Sequence, residues 1–276
     1  MQSSFLAWLP QSLIALVIPI VVVAMILPAQ GADPRIGRQL DALVAAYPDH
    51  LAGHTGHELV WKDGMRMPVD DGITSKSAEN FFDHPDIEDQ FRFDYHLGAG
   101  GLPPDVDDDP GRVRFEPLFR KMYGDCRKDE VFPRLVDVAW LPARGGGTIR
   151  VTTVNGVDKA LARVSAELDT LPDHFTKFLI PSSGAYNCRA IAGTERLSMH
   201  AFGAAIDLNS DETTYWRWEK PSAGGYYFWQ NNVPLEIVRI FEKHGFIWGG
   251  KWYHYDTMHF EYRPELIGLA QPETIQ

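Results

Sequence analysis

Ser198-Met199-His200-Ala201-Phe202-Gly203-Ala204-Ala205-Ile206-Asp207-Leu208 sets a histidine and an aspartate on either side of a run of small residues. Gly203 and the alanines let the backbone turn tightly and pack close. Ala204 to Leu208 alternates, so it reads as a strand on which Asp207 faces away from Ile206 and Leu208. Downstream, Met258-His259-Phe260-Glu261-Tyr262 alternates as well. His259 and Glu261 share one face there, and Met258 and Phe260 take the other. If the two strands pair, Asp207 and His259 point to one side of a small sheet. The expected class is α+β, a small antiparallel sheet carrying a metal site with helices packed on its other face.

A catalytic zinc site has three nitrogen or oxygen donors from the protein and one open position. His200, Asp207 and His259 meet that count. Asp256 precedes His259 by three residues, so its carboxylate sits beside an ion without binding it. There it either takes a proton as general base or serves as a structural carboxylate. Glu261 shares the face of His259 and is expected to hydrogen bond to it, the alternative being a surface charge. Ten histidines occur, at 50, 54, 57, 84, 96, 174, 200, 244, 254 and 259. His244 reads as a helix-end residue favoured by the dipole, and His254 as a groove residue or as a hydrogen-bond donor behind the ligands, rather than a ligand.

The pattern SxHxxGxAxD followed by an acidic-x-x-His resembles the zinc D-alanyl-D-alanine carboxypeptidase family. That family includes vancomycin-resistance dipeptidases and phage L-alanyl-D-glutamate endopeptidases. From average residue usage, the first motif should arise by chance on the order of once in ten thousand such chains. The resemblance covers roughly Val113 to Glu265. It implies one zinc ion on His200, Asp207 and His259, Asp256 as general base, and peptidoglycan stem peptides as substrate. It also implies an arginine that holds the substrate carbonyl. Arg189, in Gly184-Ala185-Tyr186-Asn187-Cys188-Arg189, is the best match, with a structural ion pair as its alternative; Arg196 lies nearer the motif but matches less well. Ser198 supports the site by hydrogen bonding and is not a nucleophile in that family. Tyr186, Trp252 and His254 are the expected groove residues. Gly245 to Trp252, and an Asp at 256, resemble the endopeptidase branch. Removal of a terminal D-Ala and cleavage at L-Ala–D-Glu both remain open. The rival reading is a non-catalytic zinc-containing wall-binding module on the same scaffold. Such a module would tend to lose the base, and Asp256 is present. A serine hydrolase through Ser198 lacks a Gly-x-Ser-x-Gly elbow.

Outward from the motifs, residues 33–48 carry a helical pattern, Ile36, Leu40, Leu43 and Val44, ending at Pro48. Residues 49–112 are rich in Asp, His, Gly and Pro and read as the loop-rich part of an N-terminal extension, 33–112, ahead of a peptidase domain, 113–276. Pro103 to Gly111 is a loop by composition; its Asp cluster lacks EF-hand spacing and reads as solvated. Thr148 to Val154 is β-rich, and Asn155-Gly156 is a turn. A helix follows with Val157, Leu161, Val164, Leu168 and Leu171 on one face. A second helix starts near Pro234, carries Leu235, Ile237, Val238 and Phe241, and stops at Gly245. Trp216, Trp218, Tyr226, Tyr227, Phe228 and Trp229 crowd one segment, where core packing is expected for most and a groove wall for one or two.

A net charge of −11 argues against nucleic-acid binding and against adsorption to anionic lipid through a polybasic surface. The first charged residue is Asp33, after an apolar run from Leu13 to Leu27 and the small residues Ala29 to Ala32. Residues 1–32 read as a cleaved signal peptide or as an uncleaved membrane anchor; either puts the rest of the chain outside the cytoplasm, periplasmic or extracellular. Cys126 and Cys188 either pair in that compartment or stay buried as free thiols.

Overall fold

The computed structural model describes residues 34–272; the signal or anchor segment, 1–32, lies outside the described residues. The chain opens with α1 (Pro34–Ala46), which buries Ile36, Leu40 and Leu43 on one face, the i, i+4, i+7 spacing of a helix stripe. A three-stranded antiparallel sheet follows in the order β1 (Leu51–His54), β2 (Glu58–Trp61), β3 (Arg66–Pro68). After the short α2 (Ala78–Asp83) come α3 (Glu116–Tyr123) and the antiparallel pair β4 (Leu135–Ala139) and β5 (Thr148–Thr152). Asn155 and Gly156 both take positive φ, as a turn of that composition requires. Next are α4 (Val157–Leu168) and α5 (Thr176–Leu179). Leu171 lies past the end of α4, where Ser165 and Glu167 carbonyls accept the capping N–H.

The central sheet comes last. It is built from β6 (Ala205–Asp207), β7 (Phe246–Trp248) and β8 (His259–Tyr262), in the order β6-β8-β7 and antiparallel throughout. Between β6 and β7 runs α6 (Leu235–Lys243), and α7 (Pro264–Leu269) closes the described fold. Phe260 stacks on Phe241 of α6 with ring centroids 3.9 Å apart. That pins the helical layer to one face of the sheet and leaves His259 and Glu261 on the other. The class is α+β, as the periodicities imply. His244 ends α6, where its Nε2 pairs with Glu167 Oε2 at 3.0 Å.

Residues 34–112 share this core. Leu40, Leu59, Tyr95 and Ile87 are buried in the same apolar cluster as Phe241 and Phe260, and α1 packs on α7. Polar contacts tie the same halves. Tyr47 donates to Glu265 Oε2 at 2.6 Å, and Tyr95 donates to Glu242 Oε1 at 2.9 Å. Lys251 is buried and donates to the carbonyls of Gly98 and Gly100. The three-stranded sheet was not legible in the sequence, because its strands are three or four residues long and punctuated by glycine.

Cys126 and Cys188 form a disulfide across 62 positions of sequence. Closing a loop of that size stabilises by about 4 kcal/mol when the effect is taken as loop-closure entropy lost from the unfolded chain. The double variant Cys126→Ser, Cys188→Ser is therefore expected to lose most of that figure in denaturant unfolding. A loss under about 1 kcal/mol would show that the bridge constrains little.

Candidate metal centre

Register places the first two donors. Asp207 is paired directly with His259 across β6 and β8, so both side chains leave the sheet together. His200 comes from the single 3-10 turn Met199–Phe202, whose N-terminus Ser198 caps: its Oγ accepts from the His200 N–H at 3.3 Å. Gly203 ends the turn with φ of +67°. A Cβ there would lie 2.8 Å from Leu135 Cδ2 and 2.9 Å from the Thr152 nitrogen, so glycine alone lets His200 and Asp207 face each other. Gly203→Ala is expected to cost more than the ~1–2 kcal/mol of left-handed backbone alone, with a parallel loss of metal affinity. Thermal unfolding with and without added zinc reads both.

The three donor atoms form a near-equilateral triangle. His200 Nε2 lies 3.1 Å from Asp207 Oδ1 and 3.2 Å from His259 Nδ1, and His259 Nδ1 lies 3.0 Å from Asp207 Oδ1. Donors about 2.1 Å from one ion at tetrahedral angles sit ~3.3–3.4 Å apart, so the triangle is close to ligand spacing. The remaining ring nitrogens explain why both imidazoles turn bare nitrogens inward. His200 Nδ1 donates to the Ala185 carbonyl at 2.6 Å, and His259 Nε2 donates to Glu261 Oε2 at 3.0 Å. Each outer partner takes the ring proton and fixes the tautomer. Two lone pairs and a carboxylate then meet at contact distance, which calls for a cation between them. These three residues could hold a metal ion.

The electrostatics agree. Burial alone would raise the Asp207 carboxyl, but the two imidazoles outweigh it and hold it well below the usual range. Burial would lower the His259 imidazole; hydrogen bonds to Asp207 and Glu261 outweigh that and push it up to about 10. Positive charge is demanded at this point, and a proton or a metal ion supplies it. Glu261 is fully buried. Burial would raise it, yet Arg114, His259 and Arg263 hold it down at about 2. It is thus an ionised acceptor behind His259, as the shared strand face implies.

Asp256 stands in the loop before β8. Its N–H donates to the Gly249 carbonyl at 3.0 Å, and its own carbonyl accepts from His259 N–H at 3.1 Å. Its Oδ1 is buried without a hydrogen-bond partner among the described residues. Burial, with the His259 imidazole opposing, pushes the carboxyl up to about 6.

A groove of about 370 Å³ joins these groups. His200, Asp207, His259, Asp256, Ser198, Arg189, Trp252 and His254 all line it. Arg189 is exposed at its rim, with Nη1 3.5 Å from the Ala190 carbonyl. One expected groove residue, Tyr186, and the poorer arginine candidate, Arg196, lie elsewhere. Tyr186 does not line the groove but packs, half-buried, against the core. Arg196 is tied to Asp83 at 2.9 Å and lines a separate cavity of about 490 Å³. The aromatic segment also departs from the core-packing expectation. Trp216 and Trp218 wall the groove, and Tyr226 and Phe228 are exposed. Of the others, Trp229 packs on the core.

The acidic loop needs a further correction. Asp105 and Asp107 are solvated, but Asp109 is fully buried. It accepts from His254 Nδ1 at 2.7 Å, from His254 N–H at 2.9 Å and from Arg112 at 2.7 Å. Burial would raise its carboxyl; the His254 hydrogen bond and the Arg112 charge keep it below the usual range. Arg112 and Arg114 also line the groove. Sequence reading missed all three, since they lie some ninety residues upstream of His200 and only the tertiary fold brings them near.

Residues 192–262 match the family model described as D-alanyl-D-alanine carboxypeptidase. The matched span holds all three donors and Asp256; Arg189 falls outside it. No curated protein matches the chain. The family match supports a peptidase at a coarse level.

Proposed function

We propose that this protein is an exported zinc metallopeptidase that hydrolyses peptidoglycan peptides, with His200, Asp207 and His259 as the metal ligands. One observation carries the reading: both imidazoles are tautomerically locked with bare nitrogens turned onto the Asp207 carboxylate, in a groove shared with Asp256. Zinc bound there would supply Lewis acidity toward the scissile carbonyl and an acidified water. Asp256, ionised above about pH 6, takes the proton of the attacking water and returns it to the leaving amine. Arg189 stands on the groove rim with a guanidinium free to hold the carbonyl oxygen as negative charge develops. Glu261 and the Ala185 carbonyl hold the two rings in place. Ser198 Oγ accepts the His200 N–H and caps the turn that carries the ligand, and among the described residues no imidazole or carboxylate is hydrogen-bonded to that hydroxyl to activate it as a nucleophile.

Export rests on residues 1–32. Among the described residues, no helix is long and apolar enough to cross a membrane. The retained base favours hydrolysis over a purely wall-binding module. Digestion of purified muropeptides by the zinc-loaded protein, followed by mass spectrometry, is expected to show loss of D-Ala or a cut at L-Ala–D-Glu. Muropeptides left wholly intact would end the enzyme reading for this substrate class.

A further inference from the structure

Three arginines, Arg112, Arg114 and Arg189, line the groove beside His254, in a chain whose net charge is −11. Arg114 is committed, since it is buried and pairs with Glu261 Oε2 at 3.1 Å. Arg112 and His254 are arranged differently. Asp109, with no side-chain exposure, binds one nitrogen of each and also the His254 backbone N–H. Two side chains that are far apart in sequence are thus held by one buried carboxylate. Trp216 locks them further: its ring meets His254 edge-on at 4.7 Å, and the Arg112 guanidinium lies 5.8 Å from the same ring.

Asp109 consumes His254 Nδ1 and Arg112 Nη1. Among the described residues, neither His254 Nε2 nor the other Arg112 nitrogens have a hydrogen-bond partner. A neutral wall for a peptide chain would not need this arrangement. A buried acid that orients one guanidinium and one imidazole beside an open groove suits an anion, and guanidinium geometry favours a carboxylate.

We propose that Arg112 and His254, oriented by Asp109, form a carboxylate-binding pair that selects peptides bearing a free carboxylate near the scissile bond. The proposal rests on the hydrolase reading above and deepens it. Asp109 is a positioning residue; Arg112 and His254 touch the ligand. Two sources offer the same chemistry: the C-terminal carboxylate of a D-Ala-D-Ala peptide, and the α-carboxylate of a γ-linked D-glutamate.

The test uses matched pairs: L-Lys-D-Ala-D-Ala and its C-terminal amide, and L-Ala-γ-D-Glu-L-Lys with the glutamate α-carboxylate free or amidated. Binding is measured by calorimetry on the zinc-loaded full chain carrying Asp256→Asn, so the result does not depend on turnover. In that background the acid of at least one pair should bind about tenfold or more tighter than its amide. Arg112→Gln and His254→Gln should each erase roughly tenfold to a hundredfold of affinity for that acid, as loss of a charge-assisted contact implies. Their affinity for the amide should stay within about twofold. Arg112→Lys should recover part of the loss, and Asp109→Asn should weaken the acid alone. The pair that responds identifies the carboxylate. Equal losses for acid and amide would reduce the trio to a structural wall, and acid and amide binding alike to the parent protein would overturn the proposal. Should the parent bind acids selectively while the unmodified enzyme leaves every muropeptide intact, the carboxylate pair stands and the hydrolase reading falls.

Discussion

Asp256→Asn is expected to lower kcat by about 10²–10⁴-fold, the range that general acid–base catalysis supplies, while zinc content stays that of the unaltered protein. The reasoning is geometric. Asp256 lies in the groove with the three donors, yet none of its atoms belongs to the donor triangle. Asn keeps the shape and removes only the capacity to take a proton. The pH dependence follows from sign. A base works when ionised, and burial lifts this carboxyl to about 6. The rate should therefore fall as pH drops, with an acid limb centred at or below about 6, since a bound cation can only draw the midpoint down. Asn at 256 should flatten that limb. Metal analysis and a pH–rate profile test both points. Zinc lost together with activity would make Asp256 a ligand-shell residue instead of a base.

Glu261→Gln is the second large effect. Glu261 is buried between the imidazole of His259 and the guanidinium groups of Arg114 and Arg263, at 3.0, 3.1 and 3.0 Å. Removing one partner of a buried ion pair while leaving the others costs about 3–5 kcal/mol. Arg263 keeps Glu265 at 2.5 Å, so Arg114 carries most of the uncompensated charge. The same change frees His259 Nε2 from its fixing carboxylate, and loss of such an outer partner typically weakens metal binding ten- to a hundredfold. Chemical unfolding of the metal-free protein isolates the first effect; zinc titration isolates the second. Acid adds a check. Glu261 sits at about 2 in the fold against 4.5 as its reference. Its contribution is thus complete above about 4.5 and is lost as pH falls toward 2. The Gln variant should lack that part of the acid destabilisation. Unchanged stability and unchanged zinc affinity together would show that its three partners re-pair without it.

The network reaches further than the sheet. Glu261 leads to Arg263, Arg263 to Glu265, and Glu265 to Tyr47 at the end of α1. A buried chain of charges thus runs from the N-terminal helix to the imidazole of His259. This gives residues 34–112 a direct part in holding the site, which their composition as Asp-, His- and Gly-rich sequence does not announce.

Local pattern made the centre of the protein legible. Period-two alternation sets Asp207 opposite Ile206 and Leu208 and puts His259 and Glu261 on one strand face, and the pairing of β6 with β8 in register then brings Asp207 to the side of His259. The helical stripes at Ile36–Leu43, Val157–Leu168 and Leu235–Phe241 were equally readable, because burial of a helix face imposes a spacing on the sequence itself. Other features depend on contacts that no local rule encodes. Asp109 looked like one more acid in a solvated loop, and its burial under His254 and Arg112 is set by segments some hundred and forty residues apart. Tyr186 adjoins the motif in sequence but packs into the core.

The chain alone determined which side chains can meet a cation: the residue types, their spacing, and the strand face each occupies are properties of neighbours in sequence. Only the tertiary structure decided that Cys126 and Cys188 pair, that Arg112 reaches the groove with Asp109 buried behind it, and that Arg196 does not. The physical reason is that burial and charge pairing are settled by whatever packs on a residue, and here those partners come from the far end of the chain.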